Sequence, residues 1–302
     1  MGEQWAPRLA EARANGVVDI WGWGSWAPGC TWPDSGPTLL NSTADEFKSW
    51  RGWWNSYRLF NATASNGGFS LGGQANAYLL SRLSWDANAT ASGVALDFGA
   101  LFYGADNSEP IRALLNASLY AWLPTSSPRA LGDFTLTWTM MVHDVGTFAK
   151  LAAQGITLEA FAAAANASAA AVADMESALA SLRPASIPAG NPHALAGAVR
   201  AVGVTKGYLA ALFAWRATGL RVALLGAKPS PAACAAADAA ITDMSARIAE
   251  FDAAYPIESA TWVVGRLDPA LYSYPPFLQS SERTMAGFAP RWAAQVGAVC
   301  AA

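Results

Sequence analysis

Past residue 76 the chain is an almost unbroken succession of helix formers, cut only where a capping residue precedes a proline or a short loop. Asn191-Pro192 and Ser230-Pro231 are two such pairs. The first side chain can accept from the orphan N–H groups of a first turn, and proline's fixed φ and missing donor cost nothing at the first helical position. The pairs predict helices over about 191–226 and 230–254. Thr157 opens a third, "TLEAFAAAANASAAAVADMESALASL", with Leu158, Phe161, Val172, Met175 and Leu179 as anchors and alanines that permit close helix–helix approach. Pro184, Pro188 and Pro192 mark the connection between two helical hairpins. This punctuation predicts a mainly α fold, and the lack of a fixed-period repeat argues against a solenoid.

The first quarter reads differently. Residues 3–14 have a helical pattern that stops at Asn15-Gly16, and "VVDIWGW" reads as a short buried strand leading into the loop "WGWGSWAPGCTWPDSG". Thr43-Ala-Asp-Glu46 is a capping box, so the aromatic run after it is expected to be helical to about Phe60. "FSLGGQANAYLLSRLSWD" is expected to begin extended, bend at Gly72-Gly73 and turn helical. The expected layout is a tryptophan-rich strand-and-loop segment over 1–75 and an α-helical domain over 76–302. A couple of strands form no stable sheet alone, so the first piece must pack on the bundle or complete a sheet supplied by something else. Residues 272–292, mixing tyrosine, proline and other aromatics, are expected to wrap back over the bundle.

Bulk properties narrow the function classes. The 302 residues carry a net charge of −3 with no Lys/Arg cluster, which speaks against a nucleic-acid surface. The most apolar window, "GYLAALFAWRATGLRVALLGA", holds Arg216 and Arg221 and reads as a buried helix, so no membrane span is expected. The first residues lack the basic and apolar regions of a signal peptide. Asn41, Asn61, Asn88, Asn116 and Asn166 nevertheless each open an N-x-[ST] sequon. That is five of eleven asparagines, where chance gives roughly one or two. Either an Ala/Ser/Thr-rich composition inflates the count, or the protein passes through a secretory pathway and is secreted, its leader lying outside this chain. Cys30, Cys234 and Cys300 are too few for a disulfide scaffold or a zinc site. They allow one long-range bridge with a free thiol, or three free thiols.

The chemistry-bearing candidates cluster early. Trp21, Trp23, Trp26 and Trp32 lie at a strand end and in its loop, where indole planes match the apolar C–H faces of sugar rings; core packing is the other use of such residues. Asp34 in "TWPDSG" can cap its own turn or accept from sugar hydroxyls. Glycoside hydrolysis needs two carboxyl groups, so this lone acid does not make a catalytic pair. Gln74 and Asn76 sit where strand gives way to helix and can cap that helix or face a cleft. Adjacent His143 and Asp144 point in different directions in regular structure and make a poor base–orienter pair. His193 falls in a helix's first turn and reads as solvated. No phosphate loop, nucleophile elbow, HExxH zinc motif or EF-hand loop is present, and no cofactor or metal is expected.

One segment carries a resemblance. "GGFSLGGQANAYLLSRLSWDANATASGVALDFGALFYG", residues 67–104, resembles the junction where a (β/α)8 glycosidase barrel passes into a helical C-terminal domain, as in the α-glucuronidases of glycoside hydrolase family 67. The resemblance extends over about residues 17–125. It implies that 1–75 is a short remnant of such a barrel, that the ligand is a carbohydrate, and that Trp23, Trp26, Trp32, Asp34, Gln74 and Asn76 line a substrate cleft. The proline that the family carries after Trp-Asp is Ala87 here, and its histidine-rich loop has no counterpart beyond His143. The family's catalytic carboxylates lie on barrel strands preceding this region, so the resemblance implies a C-terminal portion of such an enzyme. A missing barrel portion or a second copy is then an expected partner. The alternative is a non-catalytic glycoprotein helical domain that binds a saccharide or a protein through its tryptophan-rich patch.

Overall fold

The computed structural model describes residues 11, 14–15, 21–24, 52–55, 71, 74–75, 78, 82, 86, 89–122, 124, 145–256, 259, 263–264 and 284–301. Among these residues the chain is mainly helical, as its pattern predicts. Two short strands, β1 (Trp21–Gly24) and β2 (Gly52–Asn55), precede seven long helices. These are α1 (Ala91–Tyr103), α2 (Ser108–Trp122), α3 (Val145–Ala153), α4 (Leu158–Ala180), α5 (Ala194–Ala223), α6 (Pro231–Ala254) and α7 (Met285–Cys300). The chain forms two compact units, one of residues 1–121 and 170–203, the other of 122–169 and 204–302.

In the first unit, α1 starts where the Thr90 hydroxyl accepts from the Gly93 N–H at 3.1 Å. Its buried side is Ala91, Val94, Ala95, Phe98 and Tyr103, the stripe expected of an amphipathic helix. It ends at Gly104, where φ is +92° and a Cβ would overlap the Ser186 carbonyl, so only glycine fits. The turn into α2 is held by Asn107, which is fully buried and fully used. Its Nδ2 donates to the carbonyls of Tyr103 (2.7 Å) and Arg183 (3.0 Å), and its Oδ1 accepts from the Arg183 N–H (2.7 Å). Asn191 Nδ2 donates to the Phe102 carbonyl at 3.0 Å, and the Ser186 hydroxyl donates to Asp106 at 2.8 Å. The loop after α4 is thus stapled to the α1–α2 turn by side-chain amides and a hydroxyl.

The second unit is organised by the later part of α5. Val204, Tyr208, Leu209, Leu212, Trp215, Leu220 and Val222 are buried, with Thr205, Arg216 and Thr218 buried among them. A helix covered on nearly every side is a core helix. α6 presents Ala237, Ile241, Met244, Ile248 and Phe251, and α7 presents Met285, Phe288, Trp292 and Val296. A disulfide joins Cys234 in the first turn of α6 to Cys300 at the end of α7, with Cα atoms 6.0 Å apart, so these helices run antiparallel. That decides the pairing of two of the three cysteines; Cys30 lies outside the described residues. Phe148 of α3 makes edge-on contacts with Trp215 (5.5 Å) and Trp292 (5.8 Å) between ring centroids. It reaches them because Gly219 leaves a notch in α5 that a Cβ would fill, colliding with the Phe148 ring. The indole N–H groups of Trp215 and Trp292 have no hydrogen-bond partner among the described residues.

Several local signals hold. Ser230 caps α6 by accepting from the Ala233 N–H at 3.2 Å, with Pro231 at the first helical position, and Thr157 accepts from the Ala160 N–H at 3.2 Å to open α4. Phe161, Val172 and Met175 are buried, whereas the expected anchors Leu158 and Leu179 are only half-buried. Four expectations are corrected. Residues 52–55 form strand β2 where the capping box at Thr43 predicts helix. Leu71 is already helical, where an extended start is expected. The helix expected from Asn191-Pro192 forms but begins at Ala194: Asn191 holds the Phe102 carbonyl through its Nδ2, and the two residues before Ala194 form a turn. Of the segment 272–292, residues 272–283 lie outside the described residues, and 285–292 are the first half of α7, a regular helix whose Phe288 and Trp292 enter the core despite Pro290.

Candidate functional site

β1 and β2 pair in parallel, with Trp21 opposite Gly52, Gly22 opposite Trp53, Trp23 opposite Trp54 and Gly24 opposite Asn55. Parallel strands cannot be joined by a hairpin and need a crossover connection, here residues 25–51. Their ends after Gly24 and after Asn55 therefore lie at the same edge of the pair. Trp26, Trp32 and Asp34 follow Gly24 in the chain, and Gln74 and Asn76 come well after Asn55. In parallel α/β architectures this carboxyl edge is where ligands bind.

Further along the chain, Leu71, Gln74, Ala75, Tyr78 and Arg82 are helical, with Leu71 and Ala75 buried and Gln74 half-buried. This helical stretch packs on α1. The Tyr78 ring lies 5.9 Å from Phe98 and 6.0 Å, edge-on, from Phe102, and Arg82 pairs with Asp97 at 3.3 Å. Both ionic partners are about half exposed, which limits that pair to a small contribution. Within residues 67–104, Tyr78 and Arg82 thus meet α1, which ends at Tyr103.

Of the sequence candidates, Trp23 belongs to β1 and Gln74 to the helical stretch. Trp26, Trp32, Asp34, Asn76, Asn41, Asn61, Asn88, His143 and Asp144 lie outside the described residues. Asn116 and Asn166 are exposed on α2 and α4. His193 is exposed in the turn before α5, as expected. Among the described residues no group of three or more His, Cys, Asp or Glu side chains is arranged to hold a metal ion. Their carboxylates include surface pairs within one helix, such as Glu109 with Arg112 (2.7 Å) and Asp243 with Arg247 (2.8 Å). No helix of the described residues is long and apolar enough to cross a membrane.

The sharpest electrostatic perturbation was missed by the sequence reading of candidate sites. Arg216 and Tyr208 are both fully buried on α5. Burial pushes the Arg216 guanidinium down to about 10, with the nearby Tyr208 opposing it, and burial pushes the Tyr208 phenol up. The Arg216 guanidinium carbon stands 5.9 Å from the Phe213 ring centroid. Groups with no solvent exposure inside an aromatic core are placed to hold that core and not to meet a solute. The available signal was an arginine placed directly after the strongly apolar run "LAALFAW".

No protein-family model matches the chain, and neither the curated proteins nor the solved structures contain a significant match to it.

Proposed function

We propose that this chain is a glycoside-hydrolase-like protein of the α-glucuronidase type whose tryptophan-rich segment forms a wall of a glycan-binding cleft. The parallel register of β1 and β2 carries the reading. The carboxyl ends of both strands, after Gly24 and after Asn55, share one edge, and a barrel-type fold collects its ligand contacts at such an edge; Trp26, Trp32 and Asp34 follow Gly24 in the chain. The packing of Tyr78 and Arg82 on α1 supports the resemblance to a barrel–bundle junction. Glycoside hydrolysis needs a carboxylic acid that protonates the leaving oxygen and a second carboxylate that acts as base or nucleophile. This chain's residues then bind and orient: indoles cover the apolar sugar face, and the amides and Asp34 meet hydroxyl groups.

Titration with acidic xylo-oligosaccharides, followed by tryptophan fluorescence, tests the reading. A saturable change that disappears in the Trp26→Ala/Trp32→Ala variant is expected. A flat response from the unaltered chain contradicts it. If that response comes with concentration-dependent dimerisation, the tryptophan patch is a protein-docking surface.

The Cys234–Cys300 disulfide supports an oxidising, secretory environment as the place of action.

A further inference from the structure

Two of the five sequons fall on described helices, and both show the same arrangement. On α2 the outward residues are Glu109, Ala113, Asn116 and Tyr120, while Ile111, Leu114, Leu115 and Ser118 face inward. On α4 Asn166 is exposed between exposed Ala162 and Ala170, while Ser168 is buried. Each acceptor asparagine therefore faces solvent and each sequon hydroxyl faces the interior. The Ser118 hydroxyl is donated to the Leu115 carbonyl at 2.8 Å. Residues i and i+2 stand about 200° apart around a helix axis and cannot enter one site together. An enzyme that reads the asparagine and the hydroxyl two residues on must meet these segments before they are helical and docked.

A second feature marks Asn116. Tyr120 is 52% exposed, which makes it one of four large apolar side chains so exposed among the described residues. It sits one turn beyond Asn116, and helical side chains lean toward the N-terminus, so its ring overhangs the Asn116 position. An exposed ring in that position offers a face to the first sugar of a glycan. On α4 the neighbours are alanines, which leave room for a bulky attachment. The disulfide between α6 and α7 fits the same compartment, since the lumen that supplies N-glycan transferase also oxidises thiols.

We propose that Asn116 and Asn166 carry N-linked glycans added before α2 and α4 dock, and that the Asn116 glycan rests on the Tyr120 ring. This stands apart from the saccharide-cleft reading, so failure to bind oligosaccharides leaves it intact. The step joins the asparagine amide nitrogen to the anomeric carbon of a lipid-linked oligosaccharide, displacing the lipid pyrophosphate and releasing one proton from the amide.

The test uses the full chain secreted from a eukaryotic host and digested with and without peptide N-glycosidase. Peptides spanning Asn116 and Asn166 are expected only after deglycosylation, with aspartate at both positions. Their recovery unmodified before that treatment overturns the proposal. Asn116→Gln and Ser118→Ala should each remove the same glycan, and the second keeps the acceptor asparagine. The bacterially made chain, offered to purified transferase and lipid-linked donor, should be modified at these sites when unfolded and not when folded. Equal modification of the folded chain overturns the order of events. Nitration of Tyr120 should be about two- to tenfold slower with the glycan than after its removal, as a ring contact of ordinary strength gives; equal rates overturn the contact.

Discussion

The two compact units hold themselves together by opposite means. In the first, one buried amide, Asn107, meets three backbone groups at 2.7–3.0 Å and pins the loop after α4 to the α1–α2 turn. In the second, the fit is one of shape: Phe148 enters the notch at Gly219 and meets Trp215 and Trp292, whose indole N–H groups have no partner among the described residues. A polar staple tolerates change in volume but not in hydrogen-bonding pattern. An aromatic core tolerates an idle donor but not an extra methyl group. The same chain therefore has two distinct vulnerabilities, and substitutions can separate them.

The largest effect should come from the covalent link that only the second unit has. Opening a bridge with a sequence separation of 66 releases chain entropy of about 4 kcal/mol in the unfolded state. Reduction, or the Cys234→Ser/Cys300→Ser pair, should lower protection from hydrogen exchange in α6 and α7 while leaving α1 and α2 unchanged. Equal loss in both units would erase the contrast. Next comes Asn107→Ala. It strands the carbonyls of Tyr103 and Arg183 and the Arg183 N–H, at about 2–4 kcal/mol. Exchange should then rise in α1, α2 and residues 181–191, with α6 and α7 unaffected.

Gly219→Ala should cost about 1–3 kcal/mol through overpacking against the Phe148 ring, read as a lower denaturation midpoint in the second unit. Phe148→Leu in the same background should recover part of the loss, because it vacates the notch. The smallest effect belongs to Glu159 in the first turn of α4. Its carboxyl is held below the usual range by its own backbone N–H and then by the Thr157 hydroxyl. A depressed folded-state value means the contribution is present above the unfolded value and fades as pH falls through the folded one. Glu159→Gln should flatten the pH dependence of α4 protection, lowering it slightly near neutrality to its acid-side level.

Where helices start was readable because capping is local: Ser230-Pro231 and Thr157 each contain their own hydrogen-bonding partners within four residues. Asn191 misled for the opposite reason, since its amide serves Phe102, 89 residues away in sequence. β2 escaped notice because "GWWN" follows a sound capping box, and only its pairing with β1 makes it a strand. The choice of Cys234 with Cys300 over Cys30 is likewise a tertiary fact. As for the site, tryptophan density and the position of Gln74 drew attention to one region. What the residues alone withheld was the parallel register of β1 and β2.

The contrast between the units also frames the functional claim, because the proposed cleft belongs wholly to segments of the first. Hydrogen exchange with and without a saturating acidic xylo-oligosaccharide addresses this directly. The account predicts new protection over residues 21–36 and 52–76, with α3, α6 and α7 unchanged. Protection absent from those segments, or spread evenly over both units, would contradict it.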